Sequence, residues 1–413
     1  MRSARTRAPQ YPDIGLIAAV PDAWGGPYMP RHQLLSRLGR YFHVVWIDRP
    51  AQWRAYWLSK QGFHFQPRPP DDLPSGFHFY RPGRWLPEVY RPPWLRATVR
   101  RARLSSARGQ LVGLGCRTIC LYLWRPEFDD YPDLVRHDFS CYHVDDEYSF
   151  SSVDRPNDSR EVDLIKRVDQ VIVHSRALLE KKSGINPHLG CVPNGVDYES
   201  FATPRPEPAD LAVVPRPRIG YVGVIKRQLD IALMRSLAEK HPEWSFVFVG
   251  PLMSIGDKAL DVANLRALKN VHFLGNKPVE DLPAYVQHMD VCTMCYEVND
   301  YTKYIYPLKL HEYLATGVPV VSSRIEALWQ FADVVGIATN ESEWSQLLAR
   351  ALSPEQRTPA AVAARRAVAK NYDWDHLASL VANIIRAGVE RVVGRTSKQI
   401  NVGSPPIRGG QPF

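Results

Sequence analysis

Residues 191–218 read CVPNGVDYESFATPRPEPADLAVVPRPR, and this stretch divides the chain. Asn194 tolerates left-handed backbone and Gly195 has no Cβ, so the segment opens with a tight turn. Between Phe201 and Arg218 come Pro204, Pro206, Pro208, Pro215 and Pro217. Proline lacks a backbone N–H and is excluded from helix interiors and central strands. The stretch therefore reads as a stiff connector, with a domain boundary at 205/206.

On both sides of it, short apolar runs alternate with helical periodicity. Before it, strands are expected at Ile14–Val20, His43–Ile47, Thr118–Leu123, Ser140–Val144 and Asp169–Val173. A helix with Leu34, Leu35 and Leu38 on one face runs over Arg31–Tyr41, and Ser175 is placed to cap another. Residues 50–110 have no clean period. After the connector, strands are expected at Arg218–Val224, Trp244–Val249, Val271–Leu274, Val291–Cys295, Val318–Ser322 and Val335–Ala338. Helices are expected at Asp230–Lys240, Leu282–His288 and Leu308–Ala315. The pattern predicts an α/β protein with two doubly wound, mostly parallel sheets. Their ligands bind outside the carboxyl ends of the strands, in the cleft between the domains.

Composition agrees. The chain has 413 residues, 45% hydrophobic and 23% charged, which suits two globular domains. From about residue 395 to 413 the sequence is rich in Gly, Pro and Ser and reads as a loose tail. No run approaches the ~20 apolar residues of a membrane span. Ile14–Val20 follows several arginines, but Asp13 and Asp22 flank it and no small-residue cleavage site follows, so a buried strand in a cytoplasmic protein is expected. The six cysteines lack metal spacing and read as core residues. The net charge of +9 is partly local: Arg81, Arg84, Arg91, Arg96, Arg100, Arg101, Arg103 and Arg108 interleave with Trp85, Tyr90 and Trp94. That segment is open to two readings, a solvated basic helix or a surface for anionic lipid headgroups or a phosphorylated acceptor.

The chemistry concentrates in four motifs. One is the PNGVD turn itself. The second is YPLKLHEYLATGVPVVS at Tyr306–Ser322. Its helix start presents free N–H groups and positive dipole, Lys309 adds a charge in the first turn, and Glu312 shares that face. The third is IGYVGVIKRQLD at Ile219–Asp230, where Gly220 and Gly223 allow close backbone approach. The fourth is NVHFLGNKPVEDLPAYVQHMD at Asn270–Asp290. In the order they follow along the chain, the motifs resemble the family 4 glycosyltransferases (glycosyl transferases group 1), in a divergent bacterial branch concerned with teichuronic acid biosynthesis.

The resemblance implies a GT-B fold, with residues 1–205 binding the acceptor, 206–373 binding a nucleotide sugar, and helices at about 374–394 packing back on the first domain. It implies transfer from a nucleoside-diphosphate sugar, UDP by default, without a metal. The implied donor-binding residues are Gly223, Lys226, Asn276, Lys309, Glu312, Tyr306 and Asn194. A glycan or lipid-linked acceptor in envelope or exopolysaccharide synthesis is implied, at the inner face of the cytoplasmic membrane and with no nucleic acid. The sequence also departs from the family: Tyr304 stands where the first Glu of the usual E-x7-E pair belongs, and Val224 where an Arg belongs.

In the first domain, Asp145 and Asp146 follow an expected strand. A carboxylate there is placed to take a proton from an acceptor hydroxyl. Asp146 is preferred over Asp145, with His143 as a further candidate. Trp24, Gly25 and Gly26 follow the first strand and are expected in the acceptor pocket. A Rossmann dehydrogenase is excluded because no G-x-G-x-x-G follows Ile14–Val20. A nucleotide-sugar epimerase of the same fold and an inactive scaffold subunit remain as alternatives.

Overall fold

The computed structural model describes residues 7–25, 29–50, 73–148, 158–253 and 255–402, with backbone alone for 158 and 395–402. The first sheet has seven strands in the order β3-β2-β1-β4-β5-β6-β7. These are β1 (Ile14–Ala19), β2 (His43–Ile47), β3 (Phe77–Tyr80), β4 (Thr118–Leu123), β5 (Phe139–Val144), β6 (Gln170–Val173) and β7 (Leu189–Cys191). All pairs are parallel. Both faces of β1, β4 and β5 are covered, which is why these strands are nearly continuous apolar runs. Helices α1 (Pro30–Leu38), α2 (Pro93–Gly113), α3 (Tyr131–Leu134), α4 (Asp158–Arg167) and α5 (Arg176–Lys182) connect them. The Ser175 hydroxyl accepts from the Leu178 N–H and caps α5 as expected.

Two short helices, α6 (Tyr198–Ala202) and α7 (Ala209–Ala212), then interrupt the proline-rich stretch. It is less of a bare connector than its prolines suggest, because Leu211 is fully buried and anchors it, with Phe201, to the second core. The second sheet has the order β10-β9-β8-β11-β12-β13. Its strands are β8 (Arg218–Val222), β9 (Ser245–Val249), β10 (Val271–Gly275), β11 (Val291–Met294), β12 (Val320–Ser323) and β13 (Val335–Ala338). Helices α8 (Ile231–Lys240), α9 (Ala259–Arg266), α10 (Leu282–Gln287), α11 (Lys309–Thr316), α12 (Glu341–Ala351) and α13 (Pro359–Lys370) cover it. In both sheets the order reverses beside the first strand, between β1 and β4 and between β8 and β11. Those switch points are where such sheets open a crevice.

The last helix, α14 (Trp374–Val402), returns to the first domain. Trp374, Leu377, Ala378, Val381, Ala382, Ile385 and Val389 recur at helical spacing and join the core beneath α1 and β5. The helix runs through Val402, into the stretch that composition marks as a loose tail.

Where the chain crosses back, it pairs with the first crossing. The Val196 N–H donates to the Tyr372 carbonyl at 3.0 Å and the Trp374 N–H to the Val196 carbonyl at 2.9 Å. Arg37 of α1 donates to Asp375 at 2.7 Å and contacts Asp197 at 3.3 Å. A Cβ on Gly195 would lie 2.6 Å from the Tyr372 carbonyl oxygen and 2.7 Å from Leu377. Gly195→Ala is therefore expected to cost about 1–3 kcal/mol of stability by overpacking, measured by urea unfolding; an unchanged midpoint would show that the crossing can spread to admit a methyl group.

Candidate active site

The second domain supplies a floor. β8 ends at Val222, and Gly223 follows with φ of +139°. A Cβ there would lie 2.2 Å from Lys309 Cε and 2.7 Å from its Nζ. The lysine end thus runs directly over bare backbone; a side chain at this position would have to push the lysine aside and would be strained by the positive φ. The Lys309 ammonium stands 5.1 Å from the centre of the Tyr221 ring. Tyr313, one turn further on, fixes α11 to the strand end: its hydroxyl accepts from the Val222 N–H at 2.9 Å and donates to the Val222 carbonyl at 3.0 Å. The start of α11 carries no side-chain cap; the Leu310 N–H reaches the Pro307 carbonyl at 3.3 Å, and the other first-turn N–H groups stay available. Glu312 lies half-buried near Lys309; burial raises its carboxyl pKa and the ammonium opposes the rise.

Lys226, in the loop after β8, belongs to the same neighbourhood. Enclosure and the Lys309 charge lower its pKa, while Asp146 raises it. Opposite-domain groups therefore act on one another across the gap.

The first domain supplies the wall. β5 ends at Val144, and Asp145 and Asp146 follow with different surroundings. Arg31, buried in the first turn of α1, donates to Asp145 Oδ2 and to Asp22. The Tyr148 hydroxyl donates to the other oxygen, Asp145 Oδ1, at 2.5 Å. Asp145 is thus committed on both oxygens to its own domain. Asp146 Oδ1 accepts from the Glu147 N–H at 2.8 Å, and Oδ2 accepts from the hydroxyl of Tyr301 at 3.2 Å. Tyr301 belongs to the loop after β11, in the other domain. Burial, then the adjacent Asp145 charge, push the Asp146 carboxyl up to about 6; the Glu147 N–H, Tyr301 and Arg125 oppose the rise. Glu147 points away, into a buried cluster with Lys181, Lys182 and Glu161.

Other expected residues lie elsewhere. His143 lies flat on Trp124 at 4.1 Å and bonds the Tyr122 hydroxyl at 2.7 Å, and burial lowers its pKa to about 3. It is a neutral core residue. Tyr306 is buried, with its hydroxyl 2.8 Å from His311 Nε2, so its side chain holds the hinge rather than a ligand. Asn194 does likewise, donating to the Tyr306 carbonyl at 3.0 Å. The turn motif and the donor-helix motif are therefore tied to each other directly. Trp24 is packed among His32, Trp46, Phe77 and Phe79, and the first core claims the ring expected in an acceptor pocket. Gly25 is exposed beside it, and Gly26 lies outside the described residues. Asn276 is exposed at the carboxyl end of β10, two strands from Gly223.

Tyr304 accounts for one departure noted above. Its carbonyl accepts from the Ser175 hydroxyl at 3.1 Å and its ring lies 4.9 Å from the Lys181 ammonium, so it braces the second domain against α5. Five cysteines are buried as expected, but Cys191 is exposed at the end of β7. Among the described residues no group of three or more His, Cys, Asp or Glu is placed to hold a metal ion, and no helix is long and apolar enough to cross a membrane.

Sequence reasoning missed Arg31, Tyr148 and Tyr301. Arg31 had a signal: it starts the helix after the first strand, at the switch point. Tyr301 lies in a loop with no motif of its own, and its role depends on the approach of the two domains.

Known proteins place this geometry. Residues 216–354 match the family model described as glycosyl transferases group 1. The provisionally named teichuronic acid biosynthesis glycosyltransferase TuaH of Bacillus subtilis (strain 168) is 32% identical over 173 residues. That match spans 43% of TuaH and 40% of this chain. Among solved structures, a trehalose-6-phosphate protein of E. coli bound with UDP-2-fluoro glucose superposes with a TM-score of 0.62 at 12% identity, over 90% of this chain and 98% of that one. The UDP-forming α,α-trehalose-phosphate synthase of Burkholderia xenovorans gives 0.58 at 14% identity, over 92% and 99%. The lipopolysaccharide outer core galactosyltransferase WaaB gives 0.58 at 13% identity, over 91% and 99%. The chain has the GT-B glycosyltransferase fold, and its residues 216–354 match the glycosyl transferases group 1 family.

Proposed function

We propose that this chain is a glycosyltransferase that moves a sugar from a nucleoside-diphosphate sugar, with UDP as the nucleotide, to an acceptor hydroxyl. The observation that carries this reading is the pairing across the gap: the Asp146 carboxylate on one side, and on the other the uncapped start of α11 with Lys309 lying over Gly223. The acceptor proton goes to Asp146 as the acceptor oxygen bonds to the anomeric carbon, and the bond from that carbon to the diphosphate breaks. The departing charge is met by the α11 N–H groups, Lys309 and Lys226. These cationic groups do the work of a divalent ion, so the proposal requires none. Glu312 is placed to accept hydrogen bonds from ribose hydroxyls, and the loop carrying Asn276 to frame the base. Asp145 is a positioning residue: its charge raises the pKa of Asp146, and its ion pair with Arg31 holds the loop.

The reading extends to an envelope or polysaccharide acceptor handled at the inner face of the cytoplasmic membrane. The support is a rim of Trp85, Tyr90 and Trp94, which are 81%, 69% and 69% exposed beside Arg81, Arg84 and Arg91. This is the composition of an interfacial anchor on an anionic bilayer. The basic segment is not a uniformly solvated helix: Arg100 and Arg103 turn inward to Glu88 and Asp130.

Asp146→Asn tests the chemistry. Turnover of a UDP-sugar is expected to fall at least about 100-fold with nucleotide affinity intact; activity within a few-fold of wild type would place the base elsewhere. In the wild type, kcat/KM should rise with pH through about 6 and then level, because only the deprotonated carboxyl accepts a proton. The same pair separates by stability. Asp145→Ala removes one of the two carboxylates paired with the buried Arg31, leaving Asp22, and should cost about 1.5–3 kcal/mol, as for a hydrogen bond to a charged group. The fold holds the Asp146 pKa above its unfolded value, so Asp146 binds more protons folded than unfolded between the two values, and stability falls as pH rises through that window. Asp146→Asn should then be as stable as wild type, or more so, at pH 8. Denaturant unfolding at pH 8 checks both.

For the membrane, the double change Trp85→Ala with Trp94→Ala should cut co-sedimentation with phosphatidylglycerol vesicles several-fold. Equal binding of wild type and variant to these vesicles would contradict the anchor.

A further inference from the structure

Residues 296–304 lie between β11 and α11 and carry none of the four motifs, yet they touch the first domain twice. The Tyr301 hydroxyl donates to Asp146 Oδ2 at 3.2 Å. Three residues on, the Tyr304 carbonyl accepts from the Ser175 hydroxyl at 3.1 Å, and the Tyr304 ring lies 4.9 Å from the Lys181 ammonium. Lys181 in turn pairs with Glu147 at 3.3 Å. One turn of the second domain therefore reaches two consecutive carboxylates of the first, Asp146 directly and Glu147 through a lysine.

This loop is fixed by its own side chains. The Asn299 carboxamide oxygen accepts from the Tyr301 and Thr302 N–H groups at 3.1 and 3.0 Å. The hydroxyl of the fully buried Thr302 accepts from the Asn299 N–H at 2.9 Å and donates to the Asn299 carbonyl at 3.1 Å. At the root of the loop the Glu297 N–H donates to the Gln228 carbonyl at 2.9 Å, and Tyr296 bridges to Leu229. Tyr301 thus shares one body with the segment that carries Lys226. A short loop closed by Asn and Thr side chains holds its tyrosine in place before any ligand arrives.

The backbone crossings at Val196 and Trp374 already join the domains, so the consequence of the Tyr301 bond falls on the carboxyl it touches. Asp146 Oδ1 is held by the Glu147 N–H at 2.8 Å and Oδ2 by Tyr301. The carboxyl is therefore oriented from both domains. Each carboxylate oxygen accepts two hydrogen bonds, so Tyr301 occupies one site on Oδ2 and leaves the other. Burial and the Asp146 charge push the pKa of Tyr301 up, with the Gln228 amide and Arg227 opposing; the hydroxyl stays protonated and donates. A neutral donor of this kind favours the charged carboxylate. The other groups acting on Asp146 are Asp145 and Tyr148 from its own loop, Arg125 after β4 and Lys226 after β8.

We propose that Tyr301 is a positioning residue for the base: its hydroxyl holds the Asp146 carboxylate from across the gap, so the domain that takes the donor completes the base that acts on the acceptor. The proposal rests on the glycosyltransferase reading above.

The test reads Asp146 itself. The full chain is labelled with carbon-13 at the aspartate carboxyls, and the NMR signal missing from Asp146→Asn identifies the residue. Its titration is followed in wild type, Tyr301→Phe and Asn299→Ala, each checked for folding by thermal unfolding. The phenylalanine keeps the ring and removes only the donor. The wild-type midpoint is expected at about 6. In Tyr301→Phe it should rise by about one unit, the size of a hydrogen bond to a charged group. Asn299→Ala loosens the loop beneath the ring and should move the midpoint the same way, by less. A purely packing role for the ring would leave the Tyr301→Phe midpoint in place, and a midpoint that stays or falls overturns the proposal. Should Tyr301→Phe fail to fold, Asn299→Ala decides by the same criterion. Thermal stabilisation of the wild type by UDP is recorded alongside; its absence is a separate failure, that of the glycosyltransferase reading itself.

Discussion

Two chain crossings, paired backbone to backbone at Val196, Tyr372 and Trp374, determine how the rest of the molecule is arranged. They leave the two sheets with their switch points facing each other. They also fix the relation between motif and site, because Asn194 at the first crossing donates to the Tyr306 carbonyl just ahead of α11. The start of α11 is thus located by the hinge on one side and by Tyr313 clamped to Val222 on the other. A helix start held at both ends can present its N–H groups and Lys309 to a ligand without rearranging, and such preorganisation is what makes electrostatic stabilisation effective.

Facing that helix, two neighbouring aspartates illustrate how environment separates identical side chains. Asp145 is neutralised by Arg31 and held by Tyr148. Asp146 is bonded instead to the Glu147 N–H, and it shares the gap with a hydroxyl from the opposite domain. Burial, and after it the Asp145 charge next in the chain, are the physical origin of its raised pKa. A carboxyl tuned toward neutrality is better suited to proton transfer near pH 7 than an ordinary surface carboxylate.

Much of this was legible in the sequence. The strands stood out because buried parallel strands are continuous apolar runs, and Gly223 and Lys309 because a bare backbone beneath a cation leaves a recognisable motif. The preference for Asp146 over Asp145 could not be argued from sequence on physical grounds, since it depends on Arg31, far away along the chain. Tyr306 was expected at the donor because it opens the donor-helix motif, and Trp24 at the acceptor because it follows the first strand. Both are claimed instead by packing, Tyr306 by His311 and Trp24 by a cluster of rings, and packing partners distant in sequence leave no local trace. The helix α2 was hidden because its arginines blur the apolar period; Arg103 occupies a buried position that the pattern assigns to the surface.

If, as proposed, the interdomain gap takes a nucleoside diphosphate against the start of α11, calorimetric titration of UDP into the full chain in EDTA should show one site per chain without added metal, and Lys309→Ala should bind at least about tenfold more weakly, as expected for a charge-assisted contact to a phosphate. No binding of UDP in the presence or absence of Mg²⁺, or equal affinity in Lys309→Ala, would contradict it.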